Sequence, residues 1–221
     1  MDAIIQNFFN IPIMTEAFPF LMRGLGTTAL LCLAVIPLGL IGGLVLALMM
    51  GTKNRLYKWA LICFVDFFRA VPPLVLLIFI YSGLPFAGIN IPPFAAVCLG
   101  FMLNNSAYYA EIYRAGIESI GAGQMEAARS TGLNNTQSMI YVILPQATRN
   151  VLPDLLSNTI EVVKLTSIAS VVAMQELLYS ADMARSLTYN SSPIVLAAGI
   201  YLIILWPVVR LLSRLEHRVG H

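Results

Sequence analysis

The sequence predicts an all-α integral membrane protein, on three observations. Of 221 residues, 58% are hydrophobic and 11% charged, with a mean hydropathy of +0.80. A soluble domain carries about 25% charged residues, and half that share leaves too little polar surface to face water. Five apolar stretches reach the roughly 20 residues that a helix needs to cross a bilayer. The basic residues gather in alternate loops rather than spreading along the chain. This composition excludes a disordered chain, a disulfide scaffold and a water-soluble enzyme. A formal charge of +2 is too small for a nucleic-acid footprint.

In chain order, residues 1–24 are apolar but interrupted by Pro12 and Pro19. They are expected to lie in the outer membrane–water interface rather than to span. The first span is expected at about 26–50. Its Gly39, Gly43 and Ala47 recur every four residues, a small-residue face that lets another helix approach closely. The second span, about 59–82, contains Asp66 and Arg69, three apart on one helix face and able to pair. Pro72 and Pro73 then remove two backbone donors and should bend or break the helix, which makes Arg69, Pro72 and Pro73 candidates for a gate or hinge. The third span, about 92–113, holds Asn104, Asn105 and Ser106 near its middle, then Tyr108, Tyr109 and Glu111. The fourth, about 151–175, is less apolar and carries Asn158, Glu161, Lys164, Thr166 and Ser167. The fifth runs about 193–212, and residues 214–221 form a polar tail. No repeat or linker marks a second domain, so residues 25–213 read as one membrane domain.

The loops set the orientation. Lys53, Arg55 and Lys58 lie between spans one and two, Arg114, Arg129 and Arg149 between three and four, and Arg210, Arg214 and Arg218 at the end of the fifth. Against these nine, the other side has only Arg23 and Arg185. The excess of basic residues marks the cytoplasmic side, which puts the N-terminus outside and the C-terminus in the cytoplasm. Cys32, Cys63 and Cys98 are scattered through apolar stretches and are expected as buried small hydrophobes. His217 and His221 sit in the polar tail and are not read as a metal site.

Polar and ionisable residues at membrane depth are costly and normally face the bundle interior or a water-filled path. Asn105, Ser106, Glu161, Lys164 and Thr166 are therefore the candidates for a translocation path. A zwitterionic solute needs one anionic and one cationic partner, and Glu161 and Lys164 supply both. The same two residues, three apart, are equally read as an ion pair with each other. The two readings are compatible, because a paired charge can still line a cavity.

The longest non-spanning segment, about 116–148, has the design of a device rather than a linker. Gly121-Ala122-Gly123 opens it, and Gln124–Thr131 is built from good helix formers. Gly132 follows where a left-handed cap wants glycine. A second short helix is expected from about 136 to 143, stopping before Pro145.

Glu126-Ala127-Ala128, three residues, Gly132, nine residues, Val142, one residue, Leu144-Pro145 resembles the EAA loop of ABC-importer permeases. Phe68-Arg69-Ala70-Val71-Pro72, Tyr81-Ser82-Gly83-Leu84-Pro85, Ala110–Ile117, Gly123-Gln124, Leu144–Ala147 and Lys164–Ser167 are similar, in that order, to the polar amino-acid (histidine/glutamine/arginine-type) subfamily. Val142, Ala70, Val71 and Leu165 depart from its usual residues. The resemblance covers about residues 20–215 and implies a type I importer permease with five spans in the bacterial inner membrane. It implies as partners a second permease subunit, identical or a sister chain, a pair of ABC ATPase subunits and an extracytoplasmic solute-binding protein. ATP and magnesium would be used by the ATPase. The loop residues Gln124, Glu126, Ala127, Ala128, Gly132, Leu144 and Pro145 would couple this chain to it.

That division of labour fits the lysines. A P-loop needs a Gly-Lys pair, whereas Lys53, Lys58 and Lys164 follow Thr52, Tyr57 and Val163, so this chain is read as a non-enzymatic subunit. The competing class is a channel or secondary transporter in which Asp66, Glu161 and Lys164 serve ions without ATP. It gives the 116–148 segment no task, and five spans contain no evident inverted repeat.

Overall fold

The computed structural model describes residues 2–219, with side chains through Arg214. The tail residues His217, Arg218 and His221 fall outside the described side chains. Among the described residues the elements are all helical. In order they are α1 (Asp2–Phe8), α2 (Ile11–Met50), α3 (Arg55–Ala70), α4 (Pro73–Ile78), α5 (Pro93–Glu118), α6 (Ala122–Ser130), α7 (Asn135–Ser138), α8 (Leu144–Asn150), α9 (Leu152–Leu165), α10 (Leu177–Thr188) and α11 (Ser192–Val219). Wide π turns occupy Phe79–Gly83 and Met139–Ile143, and tight 3-10 turns occupy Leu84–Ala87 and Thr166–Val172.

Three helical stretches are long and apolar enough to cross a bilayer: Asp2–Met50, Leu152–Val172 and Ser192–Arg214. The bent pair Arg55–Ala70 and Pro73–Ala87 makes a fourth if counted as one span. The expected third span lies in α5, 26 residues long, whose Asn104, Asn105, Tyr108 and Tyr109 dilute its apolar character. Large apolar side chains remain open along these helices, with Leu33 and Ile203 each 74% exposed, as suits helices in lipid.

The first helix differs from its expectation. It runs unbroken from Ile11 through Pro12 and Pro19 to Met50. Pro12 falls in the first turn, where its missing N–H is unpaired anyway. Pro19 forfeits one backbone bond in a helix of 40 residues, too little to break it. At 1.5 Å per residue this helix is about 60 Å long, roughly twice the hydrocarbon thickness.

The second span breaks where the prolines demand. α3 ends at Ala70, and Val71 (φ −74°, ψ 125°) and Pro72 (φ −58°, ψ 131°) are extended. Each precedes a proline, whose ring disfavours the helical region for the residue before it. Leu144-Pro145 behaves differently from expectation: the helix does not stop. The N–H of Leu144 reaches back five residues to the carbonyl of Met139, and the widened turn lets α8 begin with Pro145 inside its first turn. The expected fourth span is α9 followed by a 3-10 turn that ends at Ala173, whose φ is +56°.

The chain divides into two packed units. The first comprises the residues up to Ile36, Pro72–Phe101 and Ile160–Leu211. At its centre Leu177, Ala181 and Ala184, at helical spacing on α10, pack with Ala17, Leu21, Ala197 and Ile200. The second comprises Pro37–Val71, Met102–Thr159 and the residues from Leu212 onward. Its core is Met50, Val65, Ala107 and Ala110. All three cysteines are free; Cys32 and Cys98 are half-buried and Cys63, on the open side of α3, is exposed, contrary to the expectation of buried positions.

Candidate functional site

The segment expected to couple forms a helix–turn–helix within the second unit. α6 carries Gln124, Glu126 and Ala127 exposed along its length. It ends at Thr131, whose N–H donates to Ala127 O at 3.3 Å, and at Gly132, whose N–H donates to Arg129 O at 3.1 Å. Gly132 has φ +91°, a conformation that L side chains rarely adopt, and nothing lies within 4 Å of the place a Cβ would take. α7 starts on a reciprocal cap: Asn134 Oδ1 accepts from the Gln137 N–H at 2.9 Å, and Gln137 Oε1 accepts from the Asn134 N–H at 3.0 Å. The Arg129 guanidinium donates to Asn135 Oδ1, tying α6 to α7. Ala128 points inward and is 6% exposed, so its size is limited by this chain's own packing rather than by an external partner. Leu144 and Pro145 border an open cavity of about 350 Å³, with Ile140, Thr148, Arg149 and Leu152.

The gate candidates sit in a different environment from the one the sequence suggests. Arg69 does not pair with Asp66, which is exposed and makes no ion pair among the described residues. Its guanidinium instead lies 5.6 Å from the Tyr108 ring centroid and 3.7 Å from Glu111 Oε2. Glu111 also accepts from Arg114 at 2.7 Å, and Arg114 donates to Glu118 at 2.7 Å, so a ladder of alternating charge follows α5. Asn104 and Tyr108 on the same face of α5 reach the end of α3: Asn104 Nδ2 donates to Phe68 O at 2.7 Å and the Tyr108 hydroxyl to Arg69 O at 3.2 Å.

Asn105 and Ser106 are buried, 3% and 6% exposed, against the glycine face of α2. A Cβ on Gly39 would meet Asn105 Cβ at 3.3 Å, and one on Gly42 would meet Ser106 Cβ at 3.1 Å. At Gly43 it would lie 2.9 Å from the backbone N of Ala110, closer than real Cβ contacts come. The small-residue face therefore does what the sequence suggests, and its partner is α5. Here both polar residues serve that helix contact rather than facing an open path.

In the first unit, Glu161 and Lys164 form an ion pair, with side chains 64% and 50% exposed. Lys164 also borders a cavity of about 410 Å³ with Ser167, Ala198, Tyr201 and Leu202. Thr166 is fully buried and its hydroxyl donates to Val163 O at 2.7 Å, so it too is taken up by packing. The sequence reading missed Glu176. This carboxylate is fully buried and caps α10, accepting from Tyr179 N–H at 2.6 Å and Leu178 N–H at 2.8 Å. Tyr201 Oη lies 3.4 Å from it, and the neighbouring Leu177 N–H donates to Thr28 Oγ1 at 3.1 Å. Burial pushes the Glu176 carboxyl above its ordinary range against those amide donors. The available signal was an acid immediately before a helical run, the place of an N-cap.

No group of three or more metal-ligating side chains occurs among the described residues.

The comparisons place this architecture. Residues 43–221 match the family described as the binding-protein-dependent transport system inner membrane component. The chain is 37% identical over 178 residues to the probable amino-acid ABC transporter permease protein YckA of Bacillus subtilis, covering 80% of this chain and 79% of that one. It is 34% identical to the arginine transport system permease protein ArtQ of the same organism, covering 84% and 86%. A crystal structure of an amino acid ABC transporter with histidines superposes with a TM-score of 0.84 at 38% identity, covering 93% of this chain and 96% of that one. The inward-facing MetNI methionine ABC transporter shares the fold, with a TM-score of 0.77 at 19% identity. The chain therefore belongs to the family of binding-protein-dependent transport system inner membrane components.

Proposed function

We propose that this chain is the permease subunit of an ATP-driven, binding-protein-dependent importer of polar amino acids or related small zwitterions. The observation that carries the reading is the α6–Gly132–α7 element. It presents an exposed short helix closed by a turn that only glycine adopts freely, in a chain similar along most of its length to amino-acid permeases. A solvent-facing helix with a rigid end suits docking into a cleft of a partner.

In this reading five spans cross the bacterial inner membrane with the N-terminus outside and the C-terminus in the cytoplasm. The basic-residue asymmetry supports that orientation. Two permease subunits enclose the path, a pair of ABC ATPases binds on the cytoplasmic side with ATP and magnesium, and a solute-binding protein delivers from outside. Gln124, Glu126, Ala127 and Gly132 transmit ATPase closure, with Leu144 and Pro145 at the second edge and Ala128 as the inner anchor of the helix. Glu161 and Lys164, exposed and paired, offer a zwitterion both signs of charge, while Asn105, Ser106 and Thr166 shape the packing of their own helices. Arg69, Pro72 and Pro73 form the hinge. Solute and ATP then bias two arrangements of the dimer differently, which is what coupling requires.

The test is uptake of labelled amino acids by vesicles holding this permease with its ATPase and binding protein. The proposal expects uptake that needs ATP and the binding protein. Uptake driven by an ion gradient without ATP would overturn it.

A further inference from the structure

The break after α3 leaves a specific deficit. In an uninterrupted helix the N–H of residue 72 would bond the carbonyl of Phe68, and the N–H of residue 73 that of Arg69. Both positions are proline, and proline has no N–H. The Val71 N–H is already used, bonding Phe67 O at 3.0 Å. The two carbonyls that the prolines orphan are the two that α5 reaches: Asn104 Nδ2 bonds Phe68 O at 2.7 Å, and the Tyr108 hydroxyl bonds Arg69 O at 3.2 Å. Asn104 and Tyr108 are one helical turn apart, as Phe68 and Arg69 are adjacent at the end of α3, so one face of α5 serves both.

We propose that Asn104 and Tyr108 are positioning residues of the hinge, standing in for the two amide donors that Pro72 and Pro73 delete and thereby holding the exposed end of α3 in place. The assignment rests on the reading of Pro72 and Pro73 as a hinge only for its consequence in transport; the capping itself is independent of it. Asn104 is 2% exposed, so its amide has no access to water as an alternative partner. Arg69 reinforces the arrangement from its side chain, stacked on the Tyr108 ring and within 3.7 Å of Glu111, three residues further along α5. A buried Asn in an apolar stretch thus has a definite acceptor, the carbonyl that Pro72 leaves unpaired.

The experiment is a mutant cycle on the purified full chain in detergent, read as the midpoint of thermal unfolding. Tyr108→Phe removes one oxygen and keeps the ring, and Asn104→Leu removes the amide. In the natural background each lowers the midpoint by about 2–4 °C. Pro72→Ala combined with Pro73→Ala restores two N–H groups and lets the helix continue past Ala70, so the same two changes lose most of their effect there. Equal losses in both backgrounds would show ordinary packing and overturn the proposal. If the double alanine variant does not fold, Tyr108→Phe decides alone: no change in the midpoint overturns the proposal, because only the hydroxyl is removed. Uptake by the complete transporter separates the two levels. If the double alanine variant is stable, and Tyr108→Phe and Asn104→Leu lose their effect in it as expected, yet it transports normally, the hinge reading fails while the capping stands.

Discussion

Replacing Gly132 isolates the turn that closes α6, because the backbone there makes the demand and no neighbour does. At φ +91° an L residue costs about 1–2 kcal/mol, and a β-branched one more. Nothing stands within 4 Å of the added Cβ, so no steric clash is mixed into that cost. A penalty of that size moves the balance between this turn and alternatives by roughly fivefold to thirtyfold. The spans lie elsewhere and keep their packing. The expected series is Gly132 highest, then Gly132→Asn, since Asn tolerates the left-handed region, then Gly132→Ala, with Gly132→Val lowest. The assay measures ATP-dependent uptake in vesicles, normalised to permease in the membrane, beside ATP hydrolysis by the same preparations. Uptake is expected to fall along the series at constant membrane level. Full uptake by Gly132→Val, or Asn no better than Val, would refute the argument that this turn's geometry transmits the ATPase motion.

Four further outcomes follow from the geometry. Ala127 is exposed and Ala128 buried, so Ala127→Trp should reach the membrane at normal levels and lose uptake. Ala128→Trp should overpack the unit at about 1–3 kcal/mol and lower the amount of folded protein, read by detergent-extracted, monodisperse permease on size exclusion. Exchanging Glu161 and Lys164 keeps an ion pair that, half exposed on both sides, contributes at most about 1 kcal/mol. The exchanged variant should fold normally and change its solute preference in a competition uptake assay, whereas unchanged preference would make the pair purely structural. Glu176 has its carboxyl raised by burial, so its contribution to stability is complete below the ordinary carboxylate range and is lost as pH rises through the raised value. Thermal midpoints should fall as the pH rises above the ordinary carboxylate range, and Glu176→Gln should flatten that dependence.

What the sequence reveals here is set by how local the cause is. Pro72-Pro73 forces extended backbone at Val71 and Pro72 whatever surrounds it, and Gly132 is the only residue type at ease in its turn, so both were legible. The small-residue face of α2 was legible as a contact but not its partner, because spacing says how close a helix can come and not which one does. The Asp66–Arg69 pair failed for the same reason: helical spacing permits it, but Tyr108 and Glu111 on α5 draw the guanidinium away. Asn105, Ser106 and Thr166 all read as path candidates, since a polar residue in an apolar stretch signals function and helix packing alike. Asn104 bonds a backbone carbonyl, Asn105 and Ser106 meet glycines, and Thr166 bonds back to its own helix. The continuation through Pro145 depended on a π turn, which no propensity scale anticipates.

The central claim is that this chain moves a small zwitterion at the expense of ATP hydrolysed by a partner. Reconstitution in proteoliposomes with the ATPase and binding protein, varying internal ATP and the external amino acid, tests it most directly. The account predicts uptake that requires both partners and internal ATP, and that disappears in Gly132→Val. Uptake that persists without ATP, or that follows an imposed ion gradient, would contradict it.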